Sequence, residues 1–231
     1  MKKLWEKYWF RIVLIAIVFA YHSFVYWISP LFIPSKTIEM PSWMVTIFDD
    51  VPIIPFFMVF YFGCFIWWVI AFSVASKERV YNMPWVVLFG YIIIAICFVV
   101  FPVTIHWDEI PGNDIFANLM RFLRTIDLPV KLFPSIHVFV SAVAYLAVAF
   151  DKKQKIWIRI LGFFWLIAVW ASTLFLQQHY FVDGLAGTLL AIIIFLIVKN
   201  TKLSNLISKW EDNWKMKIEQ KKSSNNDDQK E

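Results

Sequence analysis

Six stretches of the chain run apolar with scarcely a polar break, at about 12–29, 54–76, 84–103, 132–150, 157–176 and 180–198. Each is close to the roughly 20 residues that cross a hydrocarbon layer as a helix. Apolar and polar positions do not alternate within them, so they do not read as strands of a membrane barrel. They also lack the polar stripe that a helix of a soluble core would show. The pattern predicts an all-α fold, a polytopic six-transmembrane-helix bundle over residues 1–200. The first run follows MKKLWEK; it is long for a signal-peptide core and lacks a clear small-residue cleavage site, so it reads as a retained first helix.

Past the sixth run the period changes. In KLSNLISKWEDNWKMKI, residues 202–218, the apolar Leu203, Leu206, Ile207, Trp210, Trp214 and Ile218 recur at helical spacing with lysines between them. Residues 201–231 thus read as a cytoplasmic amphipathic helix and charged tail. The helix either lies on the inner leaflet or is solvated and ends in a disordered KKSSNNDDQKE tail. The connection at about 30–53 holds Pro30, Pro34, Pro41, Asp49 and Asp50, and predicts an irregular loop with a short interfacial helix.

Composition strengthens the membrane reading. Hydrophobic residues make up 60% of the 231 and aromatic residues 19%, well above the makeup of soluble domains. The net charge of +5 matters through its placement. Eighteen of the 22 basic residues fall in the N-terminal flank, the second and fourth connections and the tail. By the positive-inside rule both termini are expected in the cytoplasm of a cell (plasma) membrane protein, with the other connections outside. Nucleic acid is not an expected partner. Cys64 and Cys97 each fall within an apolar run and read as packing residues, with no disulfide framework. No His, Cys and Glu cluster has metal-ligand spacing, and no cofactor or metal is expected.

The topology gathers polar residues at one end. KLFPSIH at 131–137 opens the fourth run and QHYFVD at 178–183 opens the sixth, so His137 and His179 are expected at one depth on the outer face. Ser172 and Thr173, near the outer end of the fifth run, join that layer. His179 and Asp183 are spaced as one helical turn, so the carboxylate can hold one ring nitrogen and leave the other free to act. Pro134 suits a first helical turn, with the N–H groups of Ser135, Ile136 and His137 left free at the positive end of a helix dipole, an anion-binding arrangement. His137 is placed to hand a proton to a leaving oxygen. Together they point to phosphoryl transfer through a phosphohistidine. His22, alone within the first run, reads as a bond to a neighbouring helix.

At these residues the sequence resembles the type-2 phosphatidic acid phosphatase superfamily of integral membrane lipid phosphatases and phosphotransferases. FPSIH at 133–137 is similar to that family's second motif. Ser172, His179 and Asp183 are similar to its third. The resemblance implies that His179 attacks phosphorus, Asp183 orients it and His137 protonates the leaving group. Ser135 and the adjoining backbone of Ile136 would hold phosphate oxygens. The chain departs from the family in its cations. The stretch FPVTIHWDEIPGND at 101–114 has neither the lysine nor the arginine-proline pair of the first motif, and Thr173 stands where the third motif has arginine. Arg124 and Lys131, with Arg121 and His106, are the candidates to replace them, and Ser172 and Thr173 would complete the phosphate site. HYFVD at 179–183 also resembles a motif of sphingomyelin and inositol-phosphorylceramide synthases, which move a phospho-headgroup between lipids. The expected function is a lipid phosphate phosphatase at the outer face. Its substrate would be a phospholipid or polyprenyl phosphate, such as polyprenyl diphosphate or phosphatidate. The alternatives are a headgroup transferase and a degenerate, non-catalytic lipid-binding member. The sequence does not give the oligomeric state.

Overall fold

The structure is a computed structural model that describes residues 2–227. Eight α-helices follow one another: α1 Lys2–Ile28, α2 Met58–Val74, α3 Lys77–Val100, α4 Ile115–Ile126, α5 Ile136–Ala149, α6 Ile156–Phe175, α7 Phe181–Lys199 and α8 Leu203–Asp227. A two-residue parallel pair, Ile38–Glu39 with Val103–Thr104, and three short 3-10 turns stitch the loops. The protein is an all-α polytopic bundle. The loop at 30–53 is irregular, with 3-10 turns at Ser29–Phe32 and Ser42–Met44.

Among the described residues five helices are long and apolar enough to cross a membrane, so the count of six is not confirmed. The fourth apolar run forms α5, which has 14 residues and reaches only about 21 Å. That is short for a span by length alone, and α5 runs through the middle of the bundle: it packs against α2, α3, α6 and α7, and nearly every residue from Ile136 to Val148 is buried. Close packing needs small residues at the crossings. At Gly90 of α3 an added Cβ would stand 2.0 Å from the ring of Phe139, so glycine is what lets α3 meet α5. The first part of the run, residues 132–135, is a loop leading to the helix start.

Many residues of the basic end tie helix ends together. Arg11 of α1 donates to the carbonyls of Phe72, Ser73 and Ala75, which the last turn of α2 would otherwise leave unpaired. Asp151 accepts the amide of Ser76 just before α3, and Gln154 donates to Val74. Glu211 of α8 takes the hydroxyl of Tyr81 and the ammonium groups of Lys77 and Lys215, which fastens α8 to α3. Trp214 and Trp210 pack edge-on against Trp9 and Phe10 of α1. The amphipathic segment is therefore docked on the bundle through one face, while Leu206 and Met216 stay exposed. Helix α8 runs on to Asp227, into the stretch read as a disordered tail, and residues 228–231 lie outside the described residues.

Candidate functional site

The opposite end of the bundle brings three chain segments together. Ser135 is the N-cap of α5: its hydroxyl accepts the amide of Val138, and its own amide donates to the carbonyl of Asp183 at 3.0 Å. Pro134 thus lies ahead of the cap rather than in the first turn, and the Ser135 N–H is spent on α7. That corrects the expectation of three free amides, leaving those of Ile136 and His137 at the helix start. The Ser135–Asp183 bond pins the beginning of α5 to the beginning of α7.

Helix α7 begins at Phe181, so His179 precedes it. The turn out of α6 places it. Gln177 adopts φ 50°, and the amides of Gln178 and His179 both donate to the carbonyl of Thr173. The ring still reaches Asp183, with Nδ1 3.5 Å from Oδ2, and Nδ1 also lies 3.0 Å from the carbonyl oxygen of Leu132. A carbonyl only accepts, so Nδ1 carries the proton and Nε2 keeps its lone pair. Asp183 Oδ2 accepts the amide of Tyr180, capping the helix, while Oδ1 is buried without a partner. Asp49, from the first long loop, accepts the amide of Phe181 at 2.6 Å, and Phe48 stacks on the Phe181 ring.

His137, in the first turn of α5, lies face to face with Tyr61 of α2, with ring centroids 4.0 Å apart. Its ring centroid is 6.2 Å from that of His179, and its Nδ1 has no partner. Between them is a cavity of about 20 Å³ whose walls include Tyr26, Trp107, Asp127, Lys131, Ile136 and Gln178. That volume holds about one water molecule. His179 also borders a second cavity of about 120 Å³ beside His106, Asp49 and Tyr180.

The remaining sequence candidates divide. Lys131 lines the chamber; it is ion-paired to Asp127 at 2.8 Å and lies over the ring of Tyr26. Burial lowers its pKa, against the opposing pull of Asp127. Arg124 sits across Trp107 from the chamber, in an outer pocket with Arg121. It donates to the carbonyls of Asp108 and Leu176, and burial brings its pKa down to about 10. Ser172 and Thr173 do not line the chamber. Their buried hydroxyls donate back to Val169 and Trp170 of their own helix, because the last turn of α6 turns them into the bundle. Thr173 instead contributes the carbonyl that sets His179. His22, as read, bonds a neighbouring helix through the Tyr91 hydroxyl.

Four wall residues whose side chains bear a polar group escaped the sequence reading. Tyr26 and Tyr61 look like two more aromatics in apolar runs. Trp107 and Asp127 lie in connections, and only the Asp127–Lys131 spacing of four carried a signal. Helix α4, which sets Asp127, also lies outside the six runs. Its signs were Asp114, whose carboxylate caps the amides of Phe116 and Ala117, and the apolar Phe116, Met120 and Leu123 behind it.

Gly187 decides how closely α7 approaches this end of α5. An added Cβ would stand 2.7 Å from the Ser135 carbonyl oxygen and 3.3 Å from the Phe139 amide, both backbone atoms. Gly187→Ala is expected to cost about 1–3 kcal/mol, because neither atom can rotate away. Thermal unfolding of the purified protein in detergent, followed by circular dichroism, measures it; an unchanged midpoint would show that the helices part without strain.

A family model described as the PAP2 superfamily matches residues 116–205, which take in α5, α6 and α7 with His137, His179 and Asp183. No curated protein and no solved structure matches the chain. Through that stretch, carried on an apolar helical bundle, the chain is similar to the PAP2 superfamily, and the match supports membership of the type-2 phosphatidic acid phosphatase superfamily.

Proposed function

We propose that the protein cleaves a phosphate ester of a membrane lipid through a covalent phosphohistidine. The single observation that carries this is the pairing of two buried imidazoles across one small cavity, one of them held as the Nδ1–H tautomer with Nε2 free. In the reaction His179 Nε2 attacks phosphorus and the P–O bond to the leaving group breaks. The proton held by His137 goes to the departing oxygen. Asp183 offsets the positive charge that the His179 ring gains. His137, now neutral, takes a proton from the incoming water or alcohol as its oxygen attacks phosphorus. The N–P bond breaks and both rings return to their starting states.

With water as acceptor the protein is a lipid phosphatase, acting on phosphatidate, phosphatidylglycerophosphate or a polyprenyl (di)phosphate. With an alcohol it transfers a phospho-headgroup, and one observation favours that reading. Among the described residues the one lysine or arginine in the chamber walls, Lys131, is already matched by Asp127. The distribution of basic residues supports cytoplasmic termini and a site on the outer side of a cell membrane.

The test uses the full chain in detergent with lipids labelled at phosphorus, quenched after a brief reaction. An alkali-stable, acid-labile label on the chain is expected, and none on His179→Gln. Absence of both label and product, with any lipid or acceptor, would leave a non-catalytic lipid-binding protein.

A further inference from the structure

The chamber contains an acidic side chain that phosphate chemistry does not call for. Asp127, at the end of α4, has a side chain only 11% exposed, and it holds the Lys131 ammonium at 2.8 Å. The Tyr26 ring lies 3.4 Å below the same ammonium, and the Tyr26 hydroxyl lies against the carboxylate. Lys131 is thus shielded on two sides, in the place where a phosphate oxygen would be expected.

The charges around the cavity are few. Lys131 is positive and Asp127 negative on its walls, with the histidines 137 and 179 and the hydroxyls of Tyr26 and Tyr61. Behind His179 stands Asp183, with one carboxylate oxygen unpartnered. Arg124 lies beyond Trp107 and is engaged by two carbonyls. Apart from the proton that His137 carries in the reaction, the chamber and its backing therefore hold one fixed cation against two carboxylates. In a closed, poorly hydrated space such charges act strongly on any anion that enters. A wall donor that the reaction does not use is neutral: the indole N–H of Trp107 is buried without a partner. Neutral donors suit an oxygen that bears only part of a charge.

We infer that Asp127 selects substrate by charge: its carboxylate holds Lys131 until a phosphate oxygen displaces it, and it disfavours a doubly charged phosphomonoester relative to a singly charged lipid phosphodiester. This rests on the reading of the chamber as a phosphate site and narrows its substrate class. Asp127 also accepts the amide of Leu128, a bond that an asparagine oxygen can keep, so Asp127→Asn removes the charge with little change of shape.

The experiment compares two lipids of identical chains, dioleoyl phosphatidate and its methyl ester, which differ by one negative charge. The full-length protein is expected to turn over the methyl ester with the higher kcat/KM. Asp127→Asn is expected to move the ratio at least about tenfold toward phosphatidate, since facing like charges are costly. The double variant Asp127→Asn, Lys131→Gln restores the original charge balance and is expected to bring the ratio back. A ratio unmoved by Asp127→Asn, with both rates rising or falling together, would overturn the inference. If the unsubstituted protein turns over neither of these two lipids, the charge selection is still decided by binding. Inorganic phosphate at a pH of about 8 and dimethyl phosphate are titrated calorimetrically. Asp127→Asn is expected to bind inorganic phosphate at least about tenfold more tightly than the unsubstituted protein, with a smaller gain for the singly charged dimethyl phosphate. Equal change for both anions, or none for either, refutes it.

Discussion

Replacing His179 with alanine is expected to lower turnover of the preferred lipid phosphate by about 10⁴-fold or more, with the bundle intact. Nothing else lining the chamber offers an equivalent nucleophile. His137 has its ring face stacked on Tyr61, and among the described residues no carboxylate is hydrogen-bonded to its ring. Without a partner for its second nitrogen, it lacks a means of offsetting the charge that a phosphorylated ring acquires. The structural cost of His179→Ala is smaller, because the ring borders two cavities and its one strong bond is to Leu132. Leaving that buried carbonyl unpaired costs about 1–3 kcal/mol. Steady-state rates and the unfolding midpoint, measured on one preparation, separate the two effects. A residual rate within about tenfold of the original would mean that His179 does not form the covalent intermediate.

Why these two histidines meet was legible in the chain, and so was the bundle that holds them. Long apolar runs specify helices, and counting them puts residues 137 and 179 at the same end. What escaped the pattern was the geometry of the joints. Ser135 read as a free anion-binding amide because sequence shows a Pro-Ser helix start but not the Asp183 carbonyl that meets it. His179 read as the first residue of a helix because its spacing to Asp183 is four. The positive φ at Gln177 and the Thr173 carbonyl, which place it before the helix, arise from the way α6 turns into α7. Ser172 and Thr173 share the depth of the site but face the core, and depth alone does not give rotation about a helix axis. The fourth run has the composition of a span, yet its first residues are drawn out of helix, and Leu132 among them lines the chamber. Lys131 and Asp127 are four residues apart like a helical ion pair, but they stand in a loop, where their pairing serves the cavity instead.

Asp183→Asn is expected to slow formation of the phosphohistidine by about 10²–10³-fold and to leave KM nearly unchanged. In a histidine–aspartate pair where the carboxylate both sets the tautomer and balances the ring's charge, its conversion to amide costs about 10⁴-fold. Here the two tasks are divided. The Leu132 carbonyl is the nearer partner of Nδ1, at 3.0 Å against 3.5 Å for Asp183, so the Nδ1–H tautomer survives the substitution. What is lost is the negative charge facing an imidazole that becomes positive when the N–P bond forms. The asparagine oxygen still accepts the Tyr180 amide, and the backbone carbonyl still accepts that of Ser135, so the joint between α5 and α7 holds. Asp183→Ala removes the cap as well and is expected to add about 1 kcal/mol of instability to the same kinetic loss. Rapid-quench measurement of the label on the chain, for both variants, checks the division. A loss as large as that of His179→Ala, in the asparagine variant alone, would show that Asp183 and not Leu132 governs which nitrogen is free.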